Sequence, residues 1–266
     1  MKKIILLTGN ELRHQFFRKF LNNNKKIEVI AAYCESTSGN INELIKKDSD
    51  RSLRSAHLTS RNVTEKDFFE SYVKEFDDEK SIHIKRGEIN DELHVDNIIN
   101  LNPDLLISYG CSIINSKLLN IFNKRFINIH LGLSPYYRGA GTNFWPFVNN
   151  ELSLIGTTFM HIDEGIDTGE VIHQIRANIS PEDNIHTIGN RLILDSFKTC
   201  AKLILNFENI HHSNEVKFFK EKVYKQKDFN EESIKIAKMD LNKKINDYLK
   251  NKLTIDKKYP LVKANI

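Results

Sequence analysis

The stretch FINIHLGLSPYYRGAGTNFWP, residues 126–146, combines a strand pattern with polar side chains at its end. Residues i and i+2 of a strand point to the same face, so Asn128 and His130 share one side. Asn is depleted in strands, which makes a purely structural role for this pair less natural. A loop containing Pro135 and the Arg138-Gly139 pair follows directly. We therefore expect Asn128 and His130 to face a ligand.

Strand and helix patterns alternate on both sides of this stretch. The sequence predicts strands at 3–8, 27–33, 81–85, within 102–110, at 125–130, 155–162 and 169–179, and helices at 10–21, 64–76, 90–100, 143–149, 184–207 and 231–250. Thr64 is the predicted N-cap of the second helix, with Asp67 three residues later as in a capping box. This order favours an α/β protein with an open, mostly parallel, Rossmann-like sheet over residues 1–207. A short, mainly helical C-terminal extension, 208–266, follows.

The position of His130 in this fold points to chemistry. In open α/β sheets ligands bind outside the carboxyl ends of the strands. His130 and Gly110 each end a predicted strand. Both residues are therefore expected on the ligand-binding edge of the sheet.

Composition and charge are those of a soluble globular chain, with 40% apolar residues, 28% charged residues and a formal net charge of +4. No segment approaches the ~20 apolar residues of a membrane span, and residues 4–7 are too short for the core of a signal peptide. We therefore expect a cytoplasmic protein. The three cysteines are widely spaced and give neither a metal-binding pair nor a disulfide framework, so no metal is expected. The sequence contains no basic stripe interleaved with aromatic residues, so nucleic-acid binding is not favoured.

Asn128 and His130 can both donate hydrogen bonds to an oxygen that becomes negative during a reaction. A nearby carboxylate favours the cationic form of a histidine and can accept a proton. Asp163 and Asp167, in HIDEGIDTG, are the two candidates, and the turn at Thr168-Gly169 can aim Asp167 inward. Each feature alone also suits a satisfied histidine or an ordinary turn. The combination is more specific than its parts.

NIHLGLSPYYRGAGTNFWP followed by IGTTFMHIDEGIDTGEVI resembles the catalytic region of the formyltransferases that use 10-formyltetrahydrofolate. That family includes methionyl-tRNA formyltransferase, glycinamide ribonucleotide formyltransferase and the sugar N-formyltransferases. The resemblance is strongest over residues 103–173 and implies that Asn128, His130 and Asp167 are catalytic. The family's usual HxSLLPxxRG is here HLGLSPYYRG, with Gly132 in place of Ser and Ser134 in place of Leu. This departure affects the loop and leaves the three catalytic positions unchanged.

The resemblance implies direct transfer of a formyl group to a primary amine. Asn128 and a protonated His130 would stabilise the tetrahedral oxyanion, while Asp167 keeps His130 charged and helps to remove the proton of the amine. Neither a metal nor a covalent enzyme intermediate is implied. Cys111 is interpreted as pocket lining, because no paired base accompanies it in the sequence.

The resemblance also places the co-substrate, 10-formyltetrahydrofolate, between two loops and in contact mainly with backbone groups. The residues that it assigns to this cofactor are Cys111, Ser112, Ile113, Ile114, Asp163, Gly165 and Ile166. The stretch GAGTNFWP would form the acceptor wall, with Tyr137 and Trp145 as stacking surfaces; core packing is the alternative for Trp145. The expected substrate-binding residues are Asn10, Tyr137, Arg138, Gly139, Thr142, Asn143 and Trp145.

Several acceptors compete. The first loop, TGNELRH, has one Gly and no Ser, which disfavours glycinamide ribonucleotide. The lysine-rich, helical residues after 207 disfavour the β-barrel of the tRNA enzyme, and the start at the first strand disfavours a relative that hydrolyses the folate. The remaining prediction is a small-molecule amine, on a nucleotide-linked amino sugar. A methionyl-tRNA formyltransferase-like enzyme and a non-catalytic binding module with the same fold are the alternatives.

Two regions have only general predictions. Arg51, Arg54 and Arg61 are interpreted as part of a solvated loop, with a pyrophosphate site as the alternative. In the extension, we expect apolar side chains to pack or to pair subunits in a homodimer and lysines to be solvated. The apolar residues are Phe218, Phe219, Ile234, Leu241 and Leu249, and the lysines are Lys217, Lys220, Lys222 and Lys225.

Overall fold

A computed structural model of the chain describes residues 1–36, 45, 52–210 and 222–266. The strands and α-helices in these ranges are, in chain order, β1 (Lys2–Thr8), α1 (Leu12–Asn22), β2 (Ile27–Glu35), α2 (Leu53–Glu75), β3 (Ser81–Ile84), α3 (Glu92–Leu101), β4 (Leu105–Tyr109), α4 (Ser116–Ile121), β5 (Phe126–His130), β6 (Arg138–Gly139), α5 (Trp145–Val148), β7 (Gly156–His161), β8 (Val171–Arg176), α6 (Ile185–Asn206), β9 (Val223–Tyr224), α7 (Glu231–Lys238) and α8 (Leu241–Lys257). Short 3₁₀ turns lie at Glu88–Asn90, Leu152–Leu154, Phe207–Asn209 and Gln226–Asp228.

Seven strands form one sheet in the order β3-β2-β1-β4-β5-β7-β8. The strands from β3 to β5 pair in parallel, whereas β7 and β8 are antiparallel. The interior strand β1 buries all four apolar residues from Ile4 to Leu7 completely, as expected for a strand covered by helices on both faces. The predicted open, mostly parallel α/β sheet is confirmed.

The strand order changes direction beside β1, since β2 lies on one side of it and β4 on the other. Such a change brings the loops that follow neighbouring strands to a common crevice. In the neighbouring pair of strands, β4 and β5, Ser108 lies opposite Asn128. The carboxyl ends of β4 and β5 are therefore aligned at the edge where the sequence placed the chemistry.

Helix α2 begins well before the predicted Thr64. Its N-cap is Ser52, whose side chain accepts a hydrogen bond from the Ser55 amide at 2.9 Å. Thr64 lies inside the helix, where its hydroxyl donates to the Ser60 carbonyl at 2.8 Å. The predicted capping box is therefore wrong. The true start of the helix was missed because residues 53–63 bury polar side chains, which leaves no apolar periodicity to detect.

The prediction of a solvated loop is wrong for Arg54 and Arg61. Both belong to α2, with the Arg54 guanidinium 5.8 Å from the centre of the Phe229 ring. Arg61 donates to the Glu11 carboxylate at 2.8 Å. Arg51 lies outside the described residues.

The C-terminal extension contains two helices where one was predicted. Asp240, with φ of +52°, separates α7 from α8, since a left-handed residue cannot continue a right-handed helix. Ile234 is fully buried, and Leu241 and Leu249 pack against a cluster shared with Phe147 of the main body. These residues pack as expected, while Phe218 and Phe219 lie outside the described residues. Pairing of subunits and the division at residue 207 stay predictions.

The lysines of the extension differ from one another. Lys222 is not solvated as predicted, because its ammonium donates to the Glu151 carboxylate at 2.9 Å and lies 5.3 Å from the centre of the Tyr137 ring. Lys225 is exposed. Lys217 and Lys220 lie outside the described residues.

Residues 1–36, 45, 52–210 and 222–266 lack two features. No helix there is both long and apolar enough to cross a membrane. No group of three His, Cys, Asp or Glu side chains in those ranges could hold a metal ion. All three cysteines are free thiols.

Candidate active site

A cavity of about 190 Å³ lies between the loop after β4 and the loop that joins β7 to β8. All seven residues predicted to bind the cofactor line it. Asn128 and Asp167 from the predicted triad line the same cavity, but His130 does not. The structure thus brings together two separate loops and two of the three predicted catalytic side chains.

Asn128 reaches this cavity from the end of β5 and is held in one orientation. Its side-chain carbonyl accepts a hydrogen bond of 2.8 Å from the Ser108 hydroxyl on the neighbouring strand. This bond uses the acceptor side of the amide, so the donor side is the one that can serve a ligand oxygen. The sequence analysis missed Ser108, although aligning β4 with β5 would have placed it opposite Asn128.

His130 lies behind the cavity wall and is only 7% exposed. Its Nδ1 atom lies 3.2 Å from a carboxylate oxygen of Asp167, and its Nε2 atom lies 3.1 Å from the Tyr137 carbonyl. The second carboxylate oxygen of Asp167 accepts a hydrogen bond of 3.1 Å from the Gly139 amide. Asp167 therefore connects His130 to the loop that follows β5.

Asp163 and Asp167 have different roles. The exposed Asp163 accepts hydrogen bonds from the Gly165 amide at 3.0 Å and the Thr168 hydroxyl at 2.7 Å, which fix the turn. Asp167 has φ of +53°, a left-handed conformation that is uncommon for a residue with a side chain and is found at functional sites. Of the two candidate carboxylates, the structure places Asp167 against His130.

Opposing effects act on the protonation of His130 beside Asp167. Burial lowers the pKa of His130 below its ordinary value, although the negative charge of Asp167 and the hydrogen bond to the Tyr137 carbonyl act in the opposite direction. Burial thus opposes the expected effect of Asp167, and the charged state of His130 stays a prediction. Both nitrogens of the ring face hydrogen-bond acceptors. Both can donate at the same time only when Nε2 carries a proton and a second proton lies between Nδ1 and Asp167. The pair is therefore arranged to share one proton.

The departure at Gly132 has a steric explanation. A β-carbon at this position would lie 2.6 Å from Nε2 of His130 and 2.6 Å from the β-carbon of Thr142. Thr142 is almost fully buried, and its hydroxyl donates to the Leu131 carbonyl. Thr142 thus fills the space that a larger residue at 132 would need, and it packs inside the loop.

Tyr137 and Trp145 do not offer the predicted stacking surfaces, because both are buried. Tyr137 is fully buried and its hydroxyl donates to Glu151. Trp145 stacks on Tyr224 of the extension, with ring centroids 4.2 Å apart and planes 6° apart, and donates to the Ala140 carbonyl. Their assignment to substrate binding is corrected to core packing, since the extension covers the aromatic faces.

The other predicted acceptor residues lie at several places. Arg138 donates twice to the Ile166 carbonyl, at 2.9 and 3.1 Å, and so holds the loop that carries Asp167. The Asn143 side chain accepts from the Gly156 amide at 2.9 Å. Asn10 follows β1 at the same edge of the sheet, where its side chain accepts from Arg18 at 3.3 Å. The polar groups of these side chains bind the protein itself.

Glu35, at the end of β2, holds a loop that lines the cavity, and the sequence analysis missed it. It is 3% exposed and accepts hydrogen bonds from the Ser112 amide at 2.6 Å, the Ser112 hydroxyl at 2.7 Å and the Gly87 amide at 2.9 Å. Burial, assisted by the charge of Glu35, raises the pKa of the Cys111 thiol to about 12, so this thiol is protonated at neutral pH. A thiol that keeps its proton is a poor nucleophile.

Curated proteins of known name are similar to part of this chain. The methionyl-tRNA formyltransferase of Thermodesulfovibrio yellowstonii is 36% identical over 107 residues, which cover 40% of this chain and 34% of that protein. That of Buchnera aphidicola from Acyrthosiphon pisum, strain Tuc7, is 31% identical over 145 residues, which cover 52% of this chain and 46% of that protein. The chain thus spans about a third to just under a half of the length of the curated relatives it matches.

Solved structures share the fold at low identity. A sugar N-formyltransferase from Shewanella sp. FDAARGOS_354 has a TM-score of 0.56 and 20% identity, covering 85% of this chain and 78% of that one. A phosphoribosylglycinamide formyltransferase from Streptococcus pneumoniae TIGR4 has a TM-score of 0.53 and 18% identity, covering 78% and 99%. At these identities the likeness concerns the fold alone.

A family model described as formyl transferase matches residues 2–198, which include every strand of the seven-stranded sheet and both loops of the cavity. The match covers well over half of the chain. This chain belongs to the formyl transferase family.

Proposed function

We propose that this protein transfers a formyl group from 10-formyltetrahydrofolate to a primary amine, most simply that of a nucleotide-linked amino sugar. The observation that carries the proposal is that Asn128 and Asp167 open into one cavity with the loops 111–114 and 163–166. A donor held in one orientation and a carboxylate, both beside a loop-lined cavity, are the groups that acyl transfer to an amine requires.

The cavity suits the flat ring of a folate better than a whole cofactor. Its volume is below the ~300–1,000 Å³ typical of ligand pockets, so the rest of such a ligand would extend along the surface. Ile113 and Ile166, 68% and 57% exposed, stand on the two loops as apolar edges of the opening. These residues fit a ring that is held between two loops.

Each side chain has a separate task in the proposed transfer. The folate supplies the activated formyl group when bound. The amide of Asn128 donates a hydrogen bond to the carbonyl oxygen as negative charge develops on it. Asp167 accepts the proton that the attacking amine loses, and His130 shares that proton through its Nδ1 contact with Asp167. The pair then gives this proton to the folate nitrogen as the bond from that nitrogen to the formyl carbon breaks, which returns the pair to its starting state.

The C-terminal extension supports a small acceptor. Its residues 222–266 form two α-helices, a 3₁₀ turn and a two-residue strand, and they pack against the catalytic body through Ala237 and Ile245. Direct transfer needs the amine and the formyl carbon almost in contact, so a small acceptor would bind beside the cavity.

A tRNA acceptor is the second candidate, because the curated relatives quoted above are named methionyl-tRNA formyltransferases. The two acceptors differ in their response to salt, since phosphate contacts release counterions and weaken as salt rises. The experiment compares nucleotide-linked amino sugars with charged initiator tRNA as acceptors at increasing salt, with formamide product as the readout and Asn128→Ala as the inactive control.

A sugar formamide, formed with a Michaelis constant nearly independent of salt, is the expected result. Formylation of the tRNA with a steep salt dependence, and of none of the sugars, would place the tRNA first. Formylation of neither acceptor by a protein that binds tetrahydrofolate would contradict the proposed transfer.

A further inference from the structure

The extension makes a direct backbone contact with the catalytic region. Strand β9 pairs in parallel with β6, so that Arg138 lies opposite Val223 and Gly139 opposite Tyr224. The Arg138 amide donates to the Lys222 carbonyl at 2.9 Å, and the Ala140 amide donates to the Tyr224 carbonyl at 2.9 Å.

The direction of the amide between these two bonds is the important feature. Successive amides of an extended chain point to opposite sides, so the amides of Arg138 and Ala140 face β9 while that of Gly139 faces away. The Gly139 amide donates to Asp167 at 3.1 Å, and the other oxygen of Asp167 contacts His130 at 3.2 Å. Pairing with β9 therefore fixes the direction of the donor that holds Asp167.

Gly139 is required for this close approach. It has φ of +89°, which residues with side chains rarely adopt, and a β-carbon there would overlap the Tyr224 carbonyl. The contact between the extension and the catalytic loop is thus made at a position that accommodates only glycine.

Tyr224 anchors β9 in place. Its ring stacks on Trp145 and lies nearly parallel to Tyr137, with centroids 4.2 and 5.9 Å away. Its hydroxyl accepts a hydrogen bond of 2.8 Å from Asn149. The neighbouring Val223 side chain is 57% exposed, so it contributes little to this anchoring.

We propose that Tyr224 is a positioning residue for the reaction, which through the pairing of β9 with residues 138–140 holds the Asp167 carboxylate against His130. This inference rests on the proposed function for its kinetic consequence. The contact itself is independent of the acceptor and of the folate.

The charges that face His130 determine the sign of the test. Asp167, on the loop between β7 and β8, raises the pKa of His130, whereas burial and Arg138, on the loop after β5, lower it. Loss of β9 would let the Gly139 amide turn and Asp167 withdraw. The pKa of His130 would then fall further, and Asp167 would be misplaced for proton transfer.

The experiment compares Tyr224→Ala with Tyr224→Phe, which keeps the stacking ring, and with Val223→Ala on the same strand. The titration of the His130 ring is followed by NMR, with Asp167→Asn as the reference for complete loss of the carboxylate. Turnover and both Michaelis constants are measured in parallel. If Tyr224→Ala does not fold, Tyr224→Leu, which keeps apolar volume at this position, takes its place.

In Tyr224→Ala we expect the pKa of His130 to move toward its value in Asp167→Asn and kcat to fall roughly tenfold, the scale of one hydrogen bond to a charged group. Tyr224→Phe should keep the pKa of His130 and kcat near their wild-type values, and Val223→Ala should leave both quantities unchanged. A folded Tyr224→Ala protein in which His130 titrates as in the wild type would refute the inference, even if turnover fell. The titration needs no acceptor, so it gives an answer whether or not the protein transfers a formyl group.

Discussion

Glu35→Gln tests whether the loop 111–114, which is proposed to bind the folate, is held from outside the cavity. Glu35 is 3% exposed and accepts three hydrogen bonds, two from Ser112 on the loop and one from the Gly87 amide. Glutamine keeps the size of the side chain but turns one of its two acceptor oxygens into a donor. Whichever way the new amide is oriented, it faces a backbone amide that also donates.

The expected magnitude follows from that mismatch. A buried donor left without its acceptor costs about 1–3 kcal/mol. If this cost destabilises the binding conformation of the loop, it is subtracted from the free energy of binding, and affinity for a folate falls roughly 5- to 150-fold. Ser112→Ala removes only the hydroxyl and keeps the amide bond to Glu35, so its effect should be smaller.

The assay is binding of tetrahydrofolate, measured by calorimetry and by the rise in melting temperature, since a ligand selective for the native state stabilises it. Glu28→Gln makes the same chemical change on β2 and is the control for a general effect on the strand. A folded Glu35→Gln protein that bound tetrahydrofolate with wild-type affinity would show that the loop does not depend on this anchor.

Two further predictions concern the proposed catalytic donor, Asn128, and a buried histidine. Asn128→Ala should lower turnover ~10²–10³-fold with the fold retained, because it removes an oxyanion donor; turnover near the wild-type value in a protein with a normal circular dichroism spectrum would exclude this role. His57 is 5% exposed, and burial, with the nearby charge of His186 as a smaller cause, lowers its pKa to about 3. The unfolded chain takes up this proton near pH 6.5 and the native chain does not, so stability is present above that pH and is lost as the pH falls from 6.5 toward 3. His57→Phe should therefore remove about 2 kcal/mol of the loss in stability between pH 7 and pH 5 in urea titrations, and equal losses in both proteins would contradict the assignment.

The strands and most helices followed from local pattern. Ile4–Leu7 is apolar without interruption because β1 is buried on both faces, and this can be read from the sequence without a partner strand. The first half of α2 could not be predicted in this way. Its buried side carries Ser55 and His57, and farther along the helix Glu65 binds Arg13 of α1, so the helix is stabilised by polar contacts that only the tertiary structure supplies.

The parts of the candidate site that lie close together along the chain could be predicted from local sequence patterns. Asn128 and His130 share a strand, and the turn that carries Asp167 was recognisable from its neighbours, since alternation and turn chemistry act over a few residues. The partners of these side chains depend on the folded arrangement of distant segments. Ser108 reaches Asn128 from the neighbouring strand, Glu35 reaches a loop 77 residues away, and Tyr224 covers the aromatic rings predicted for the acceptor. Local pattern contains no information on such pairs, because the energy of each contact appears only when the whole sheet brings the two segments together.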